Sequence, residues 1–129
     1  MALSEIERTM GDVYGSSAGH LEFQYTARAS YALNKALGAP IGKSFGMTCA
    51  SPAAIGLVIA DAAAKSAVID PVGYASPSQG TSFSNEVIFT FSGDSGAVRQ
   101  AVIAAREVGL QLLSTLDPVE IKSTTTPYI

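Results

Sequence analysis

Hydrophobic residues recur at two different spacings in this chain, and the two spacings alternate along the sequence. Residues 20–25 alternate polar and apolar side chains, which is the period of a half-buried strand, and residues 86–91 are rich in β-branched and aromatic residues. The predicted strands are 20–25, 46–50, 68–75 and 86–91. Three helices are predicted, the first over 28–37, the second beginning at Pro52 and the third over 94–113. Ser51 is the expected cap of the second helix, and Asp94 or Ser95 that of the third. This order predicts an α/β (α+β) sandwich in which helices pack on one sheet.

Length and local composition divide the chain into three segments. Its 129 residues suit one domain, which we assign to 17–116. Residues 1–16 are interpreted as a lead segment, since 3–10 have a short helical pattern that suits the end of a preceding domain's helix. The Thr-rich tail, 117–129, is predicted to be extended.

Charge is scarce in this sequence. Only 15% of the residues are charged, whereas about a quarter is usual in soluble domains, and 47% are apolar. Because a small domain has a large surface for its volume, this shortage indicates that neighbouring subunits cover part of the surface. The sequence therefore predicts self-association.

Several classes of partner and location are disfavoured by the same composition. A net charge of −3 with eight Lys and Arg leaves no basic stripe for nucleic acid. The first ten residues carry charges where a signal peptide would be apolar, and the longest apolar run, 53–60, is too short to span a bilayer. The single cysteine, Cys49, cannot form an internal disulfide. We expect a cytoplasmic protein without a nucleic-acid or membrane partner.

Two short motifs suggest catalysis, but each lacks a necessary part. Residues 93–96 spell Gly-Asp-Ser-Gly, as around a protease nucleophile, yet the only histidine is His20 and nothing nearby orients it as a base. Residues 38–44 approach a phosphate-binding loop, but they have one residue too few and lead from a helix into a strand. We interpret the first motif as a helix start and the second as a turn, and we expect no catalytic residue.

Metal and thiol chemistry are also disfavoured. Cys49 is predicted to be a buried small hydrophobic residue in mid-strand, without the positive surroundings that a reactive thiol needs. His20 with Asp12 and Glu22 matches no chelating spacing, and a turn-exposed histidine explains it better. The sequence predicts no metal and no cofactor.

Three segments in combination carry a resemblance to a known family. They are 61–67 (Asp-Ala-Ala-Ala-Lys-Ser-Ala), the small polar loop 76–85, and 86–98, which ends in Gly-Asp-Ser-Gly-Ala-Val. Together they resemble the BMC domain, the shell-protein domain of bacterial microcompartments, in which an A-D-A-x-x-K-x-A helix, a pore loop and a G-D-x-G-A-V helix start follow one another. The resemblance implies a ferredoxin-like antiparallel sheet with helices packed on it.

The element order resembles the circularly permuted form of that family. The strand and helix usually found last, here 20–37, come first. Residues 11–14, 24–33, 80–86 and 127–129 add a resemblance to the second half of the tandem-domain shell proteins of propanediol-utilising microcompartments. Those proteins form trimers shaped like hexagons, so the resemblance implies a homo-oligomer, here a hexamer or a trimer. Other shell proteins and encapsulated enzymes are the implied partners.

The resemblance also implies roles for particular residues. Lys65 would lie at the edge where hexagonal units meet, with Asp61 as its partner one helical turn earlier, and Arg28 would be a further edge residue. Ordinary solvated side chains remain the alternative for Lys65 and Arg28. The implied pore loop would line a central opening for small polar metabolites such as 1,2-propanediol, and a surface loop without a binding role remains its alternative. Its residues are Ser78, Gln79, Gly80, Thr81 and Ser82.

Two functions from different classes follow. The first is a non-catalytic shell component that tiles into sheets and forms a pore in the microcompartment shell. The alternative is a small homo-oligomeric ligand-binding regulatory domain of ferredoxin-like build, which shares the element pattern. Regulatory domains that bind anionic effectors use clusters of Lys and Arg, which this sequence lacks.

Overall fold

The fold is known from a computed structural model that describes residues 9–76, 86–116 and 120–125. It contains six strands and three helices within those ranges. The strands are β1 (Thr9–Ser16), β2 (Gly19–Thr26), β3 (Ser44–Ser51), β4 (Asp70–Ala75), β5 (Val87–Gly93) and β6 (Glu120–Thr125), and the helices are α1 (Tyr31–Leu37), α2 (Ala53–Ser66) and α3 (Ser95–Ser114). None of the helices in the described ranges is long and apolar enough to cross a membrane.

The six strands form one sheet in the order β4-β5-β3-β2-β1-β6, and every neighbouring pair is antiparallel. Side chains alternate between the two faces of a strand, and Leu21, Phe23 and Tyr25 of β2 all lie in the main core. The core is completed by buried residues of α2 and α3, among them Ile59 and Val102. The predicted sandwich of helices on an antiparallel sheet is therefore confirmed.

The opposite face of the sheet, which we call the second face, is covered differently. Phe45 of β3 is buried there in a small cluster with Ala29 and Ala39, against which Leu33 of α1 and Met47 also pack. Cys49 follows Met47 on this face, because it is two residues further along the strand. The short helix α1 thus covers the part of the second face next to Phe45.

The lead segment assigned to 1–16 contains a strand of this sheet. β1 pairs with β2 along its whole length, from Thr9 opposite Thr26 to Ser16 opposite Gly19. The predicted helix over 3–10 therefore does not include Thr9 and Met10, and residues 1–8 lie outside the described ranges. Pairing with β2 overrides a helical pattern too short to be stable alone. The extended tail contains β6, which pairs with β1, while the domain boundaries at 17 and 116 stay a prediction.

The buried face of α2 differs from the predicted one. In the sequence, Ile55, Val58, Ile59 and Ala62 recur at helical spacing, which predicts that these four residues form the inward face of α2. The structure buries Ile55, Gly56, Ile59 and Ala63, and Val58 is 47% exposed. The prediction was wrong because Gly56, which adds nothing to a hydrophobic pattern, lies directly against the sheet, where an added Cβ atom would be 2.6 Å from Val87 Cβ.

The starts of α2 and α3 were located correctly, but neither helix has the capping side chain that the sequence suggested. Pro52 itself is the N-cap of α2, and Ser51 is the last residue of β3. Asp94 is the N-cap of α3, as expected, but its side chain makes no capping hydrogen bond. Both helices therefore rely on packing rather than on a capping side chain.

An ion pair joins β1 to α3. Arg106 Nη1 donates to Asp12 Oδ2 at 2.6 Å, and the Asp12 side chain is only 7% exposed. A charged hydrogen bond at a buried carboxylate is stronger than a neutral one. The pair therefore helps to hold β1 against α3. Among the described residues, it is the only ion pair that joins β1 to a helix.

Asp12→Asn is expected to lower the free energy of unfolding by about 1–2 kcal/mol, since the charged hydrogen bond is lost while Arg106 keeps some access to water. Urea denaturation measures this difference. Glu107→Gln, which removes an exposed carboxylate from the neighbouring position of α3, is the matched control and should change stability by less than about 0.5 kcal/mol. Equal effects of the two substitutions would show that only net charge matters.

Candidate assembly surface

The outward side of α2 carries apolar and charged residues together. Leu57, Val58, Asp61 and Lys65 are all exposed. Asp61 follows Leu57 and Val58 by four and three residues, and Lys65 follows Asp61 by four, so the four side chains form one stripe along the helix, which we call the outer stripe. Val68, two residues past the helix, is 91% exposed. Large apolar side chains beside a charged pair are typical of surfaces that meet another protein.

Lys65 and Asp61 pair as the sequence predicted. Lys65 Nζ lies 2.7 Å from Asp61 Oδ2, and their side chains are 75% and 59% exposed. An exposed pair of this kind contributes little to stability. Both groups remain accessible to a neighbouring molecule, and the edge role of Lys65 and Asp61 stays a prediction.

Arg28 is exposed at the same end of the sheet as the last turn of α2. Arg28 comes just after β2, whose last residue Thr26 lies opposite Phe45 near the start of β3. The start of β3 pairs with the end of β5, and the end of β5 pairs with Asp70, the first residue of β4. Because α2 ends just before β4, its last turn lies at this same end of the sheet. Arg28 lines an open depression of about 260 Å³ together with Lys43, Asp94 and Ser95. This placement puts both predicted edge cations at one end of the domain, and the edge role of Arg28 stays a prediction.

The Gly-Asp-Ser-Gly motif lies at the start of α3, away from the only histidine. Ser95 Oγ and Tyr25 Oη form a hydrogen bond of 2.5 Å. His20 is near the beginning of β2, whereas Tyr25 is near its end. The interpretation of the motif as a helix start is confirmed, because Asp94 is the N-cap of α3 and Ser95 its first residue. The absence of a catalytic role stays a prediction.

Residues 38–44 form the turn that the sequence predicted. Gly38 ends α1 with a φ of 75° and Gly42 has a φ of 82°, both in the left-handed region that suits glycine, and the segment leads into β3. No long helix begins there to present amide groups to a phosphate. The resemblance to a phosphate-binding loop has no structural counterpart in this part of the described chain.

Cys49 is buried in mid-strand, as predicted, with 3% exposure. Burial raises the pKa of its thiol well above the usual value, and the negative charges of Glu86 and Glu22 raise it further. The thiol is therefore protonated at neutral pH and is a poor nucleophile.

The surroundings of His20 differ from the prediction. Asp12 lies on the opposite face of the sheet with Arg106, so the set of His20, Asp12 and Glu22 does not form. His20 is not a freely exposed turn residue, because its side chain is 24% exposed and its Nε2 lies 3.3 Å from Glu86 Oε2. Sequence reasoning missed Glu86, since only the register of three strands brings it to His20.

The predicted pore residues lie outside the described ranges. Ser78, Gln79, Gly80, Thr81 and Ser82 belong to the connection between β4 and β5. At the base of that connection, Ser76 Oγ donates to the backbone oxygen of Glu86 at 2.9 Å. The pore role stays a prediction.

A second group of exposed apolar residues lies around α1 and β4. Leu37 and Tyr74 line an open depression of about 310 Å³, and Tyr74 is 61% exposed. Tyr31 and Ile41 are exposed to a similar degree. The domain thus has exposed apolar side chains both at the outer stripe and around α1.

Comparison of the sequence with known proteins gives consistent matches. Residues 44–123 match the family model described as BMC domain. The match begins at the first residue of β3, so β2 and α1 precede it, as the permuted order predicts. The chain is 61% identical over 116 residues to the bacterial microcompartment shell protein PduB of Salmonella typhimurium (strain LT2), covering 90% of this chain and 43% of that protein.

Comparison of the fold gives the same result. The crystal structure of a trimeric bacterial microcompartment shell protein PduB is similar with a TM-score of 0.78 and 49% identity, over 97% of this chain and 53% of that chain. The crystal structure of EtuB from Clostridium kluyveri is similar with a TM-score of 0.78 and 43% identity, over 98% of this chain and 54% of that chain. The chain therefore spans about half the length of the relatives it matches.

Proposed function

The chain belongs to the BMC domain family, and on this premise we propose that it is a non-catalytic structural component of a bacterial microcompartment shell. The observation that carries the proposal is the 61% identity to a shell protein over nine-tenths of the chain. A regulatory ligand-binding domain is set aside, because the similar proteins named above are shell proteins or share their fold. The site of action would be the shell of a compartment in the bacterial cytoplasm.

Exposed apolar residues support association with other copies. Val68 is 91% exposed and Tyr74 is 61% exposed. Burial of their apolar surface in an interface would stabilise association by about 25 cal/mol per Å². The low fraction of charged residues agrees with this. Both observations favour a homo-oligomer whose interfaces cover these side chains.

The lengths of the relatives support a ring of repeated domains. This chain covers 53% of each chain of the trimeric shell protein, so such a trimer contains about six domains of this size. We propose that the domain occupies one position in a hexagon-shaped unit, either as a hexamer of this chain or as a trimer. Other shell proteins and encapsulated enzymes would be the further partners.

The connection between β4 and β5 is the proposed rim of an opening in that unit. Ser78, Gln79, Thr81 and Ser82 carry hydroxyl and amide groups but no charge, and Gly80 has no side chain. A ring of such groups suits small polar molecules and repels neither sign of ion. Small polar metabolites, with 1,2-propanediol as the specific candidate, would therefore pass through it.

Native mass spectrometry of the purified chain tests the proposal. We expect a hexamer or a trimer at micromolar concentration, because the exposed apolar surfaces favour closed rings over monomers. Analytical ultracentrifugation over a range of concentrations provides an independent measurement. A strictly monomeric species throughout that range would contradict the proposal.

A further inference from the structure

Three potential metal ligands, two from strands and one from the residue just before a strand, meet on the second face of the sheet. His20 of β2 lies opposite Ser51 of β3, and Cys49 lies two residues before Ser51 on the same face. Cys49 also lies opposite Ile88 of β5, which places Glu86, two residues before Ile88, beside Ser51 on that face. The antiparallel register therefore brings the three side chains into one cluster, which we call the His-Cys-Glu cluster.

Two of the three separations between donor atoms in the cluster match those between the ligands of a metal ion. His20 Nε2 lies 3.3 Å from Glu86 Oε2, Cys49 Sγ lies 3.5 Å from the same oxygen, and Cys49 Sγ lies 4.0 Å from His20 Nε2. In a tetrahedral zinc site, bonds of about 2.0–2.3 Å put neighbouring donors about 3.3–3.6 Å apart. The two distances to Glu86 Oε2 agree with that range. The distance between Cys49 Sγ and His20 Nε2 is longer by a few tenths of an ångström, and a small rotation of the His20 side chain would shorten it.

The types of ligand select the class of metal. Cysteine sulfur and imidazole nitrogen favour zinc and similar transition metals, whereas magnesium and calcium favour sites made of oxygen alone. Glu22 lies on the same face opposite Cys49, so a further negative charge favours a cation there. Three protein ligands leave the fourth position of a tetrahedral ion for water or another small ligand.

The cluster has one buried ligand and two partly exposed ligands, an arrangement that suits metal binding. Cys49 is almost fully buried, while the side chains of His20 and Glu86 are 24% and 20% exposed. The cysteine is therefore held rigidly by the sheet, and the other two ligands keep an opening to solvent. An ion can enter from that side and be shielded from water on the other.

We propose that the His-Cys-Glu cluster binds one zinc-class transition-metal ion through Cys49 Sγ, His20 Nε2 and Glu86 Oε2. On binding, Cys49 releases its thiol proton to water and forms the metal–sulfur bond, so that the Cys49 to Glu86 hydrogen bond is replaced by coordination of both groups. The ion would cross-link β2, β3 and the start of β5.

Cobalt(II) is a suitable probe because tetrahedral cobalt–thiolate sites absorb strongly in the visible and near ultraviolet, whereas hydrated cobalt does not. Titration of the reduced, untagged protein with cobalt is expected to give a thiolate-to-cobalt charge-transfer band that saturates at one ion per chain. Zinc should abolish the band by displacement, since zinc and cobalt share this geometry and zinc binds the more tightly at thiolate sites. A wild-type protein without the band would overturn the proposal.

Substitutions separate the cluster from adventitious binding. Loss of a group that only supports a ligand weakens metal affinity about 10–100-fold, so His20→Gln and Glu86→Gln are each expected to weaken zinc affinity by at least about tenfold. Cys49→Ser should remove the charge-transfer band. Glu107→Gln is the control, because it removes an exposed carboxylate from α3, on the other side of the sheet from the cluster, and it should keep the band, the one-to-one stoichiometry and the zinc affinity.

The variants also keep the test independent of folding. Circular dichroism and the unfolding midpoint of each variant without metal report whether the sheet is intact. His20 and Glu86 are partly exposed, so their glutamine variants should fold even where Cys49→Ser does not. Zinc affinity within twofold of wild type in both folded glutamine variants would overturn the assignment.

Discussion

Lys65→Asp is expected to abolish extended sheets of the assembled protein while leaving the fold of each subunit unchanged. The substitution turns the pair of Lys65 with Asp61 into two carboxylates one helical turn apart, at positions 75% and 59% exposed. Within the subunit this costs only about 0.5–1 kcal/mol, because exposed charges are well screened by water. Between hexagonal units the substitution is present at every edge contact, so a modest loss of binding free energy at each contact adds up over the many contacts of a sheet and prevents its formation.

Negative-stain electron microscopy measures the sheets, and native mass spectrometry measures the units that form them. Lys35→Asp is the matched control, since Lys35 is an exposed lysine in the last turn of α1 and gives the same change in net charge. Sheets of normal extent from Lys65→Asp would contradict the edge role. Sheets lost equally in both variants would show that net charge, rather than contact at Lys65, controls assembly.

The order of strands and helices was predictable because it depends on local spacing. β5 and α3 illustrate this, since a dense run of β-branched and aromatic residues is followed at once by a helical period. β1 was not predictable, because Thr9–Ser16 contains three residues poor in strand preference, Gly11, Asp12 and Gly15. It is a strand because β2 and β6 pair with it on its two sides.

The same distinction separates the parts of the candidate sites. The pair of Asp61 with Lys65 follows from their spacing on one helix, so the sequence predicted it. The His-Cys-Glu cluster joins residues 29 and 37 positions apart, as the sequence separations of Cys49 from His20 and from Glu86 show. Only the register of β2, β3 and β5 brings them together, and hydrophobic periodicity does not report register between distant strands.

Helix α2 shows a third limit, which is the role of residues without side chains. A hydrophobic pattern ranks Val58 above Gly56 as a core residue, yet Gly56 is buried and Val58 is exposed. The distance between helix and sheet is decided by the smallest residue at the contact, and that distance is a tertiary property. The outer stripe therefore carries Val58 as a consequence of where Gly56 lies.

Gly56→Ala is expected to lower the free energy of unfolding by about 2–3 kcal/mol, although alanine normally stabilises a helix relative to glycine by about 0.5–1 kcal/mol. A Cβ atom at Gly56 would lie 2.6 Å from Val87 Cβ and 3.1 Å from the backbone oxygen of Ala50. Neither atom is the end of a flexible side chain, so α2 must move away from the sheet. That movement loosens the contacts of buried Ile55 and Ile59.

Gly96→Ala is the matched control for this substitution. Gly96 lies in the first turn of α3, and a Cβ atom there would meet nothing within 4 Å. We expect Gly96→Ala to leave stability unchanged or to raise it by up to about 1 kcal/mol, since only the backbone preference changes. Chemical denaturation of both variants under identical conditions measures the contrast. If Gly56→Ala were as stable as Gly96→Ala, the close approach of α2 to β5 would not be what sets the inward face of the helix, and the exposure of Val58 would need another cause.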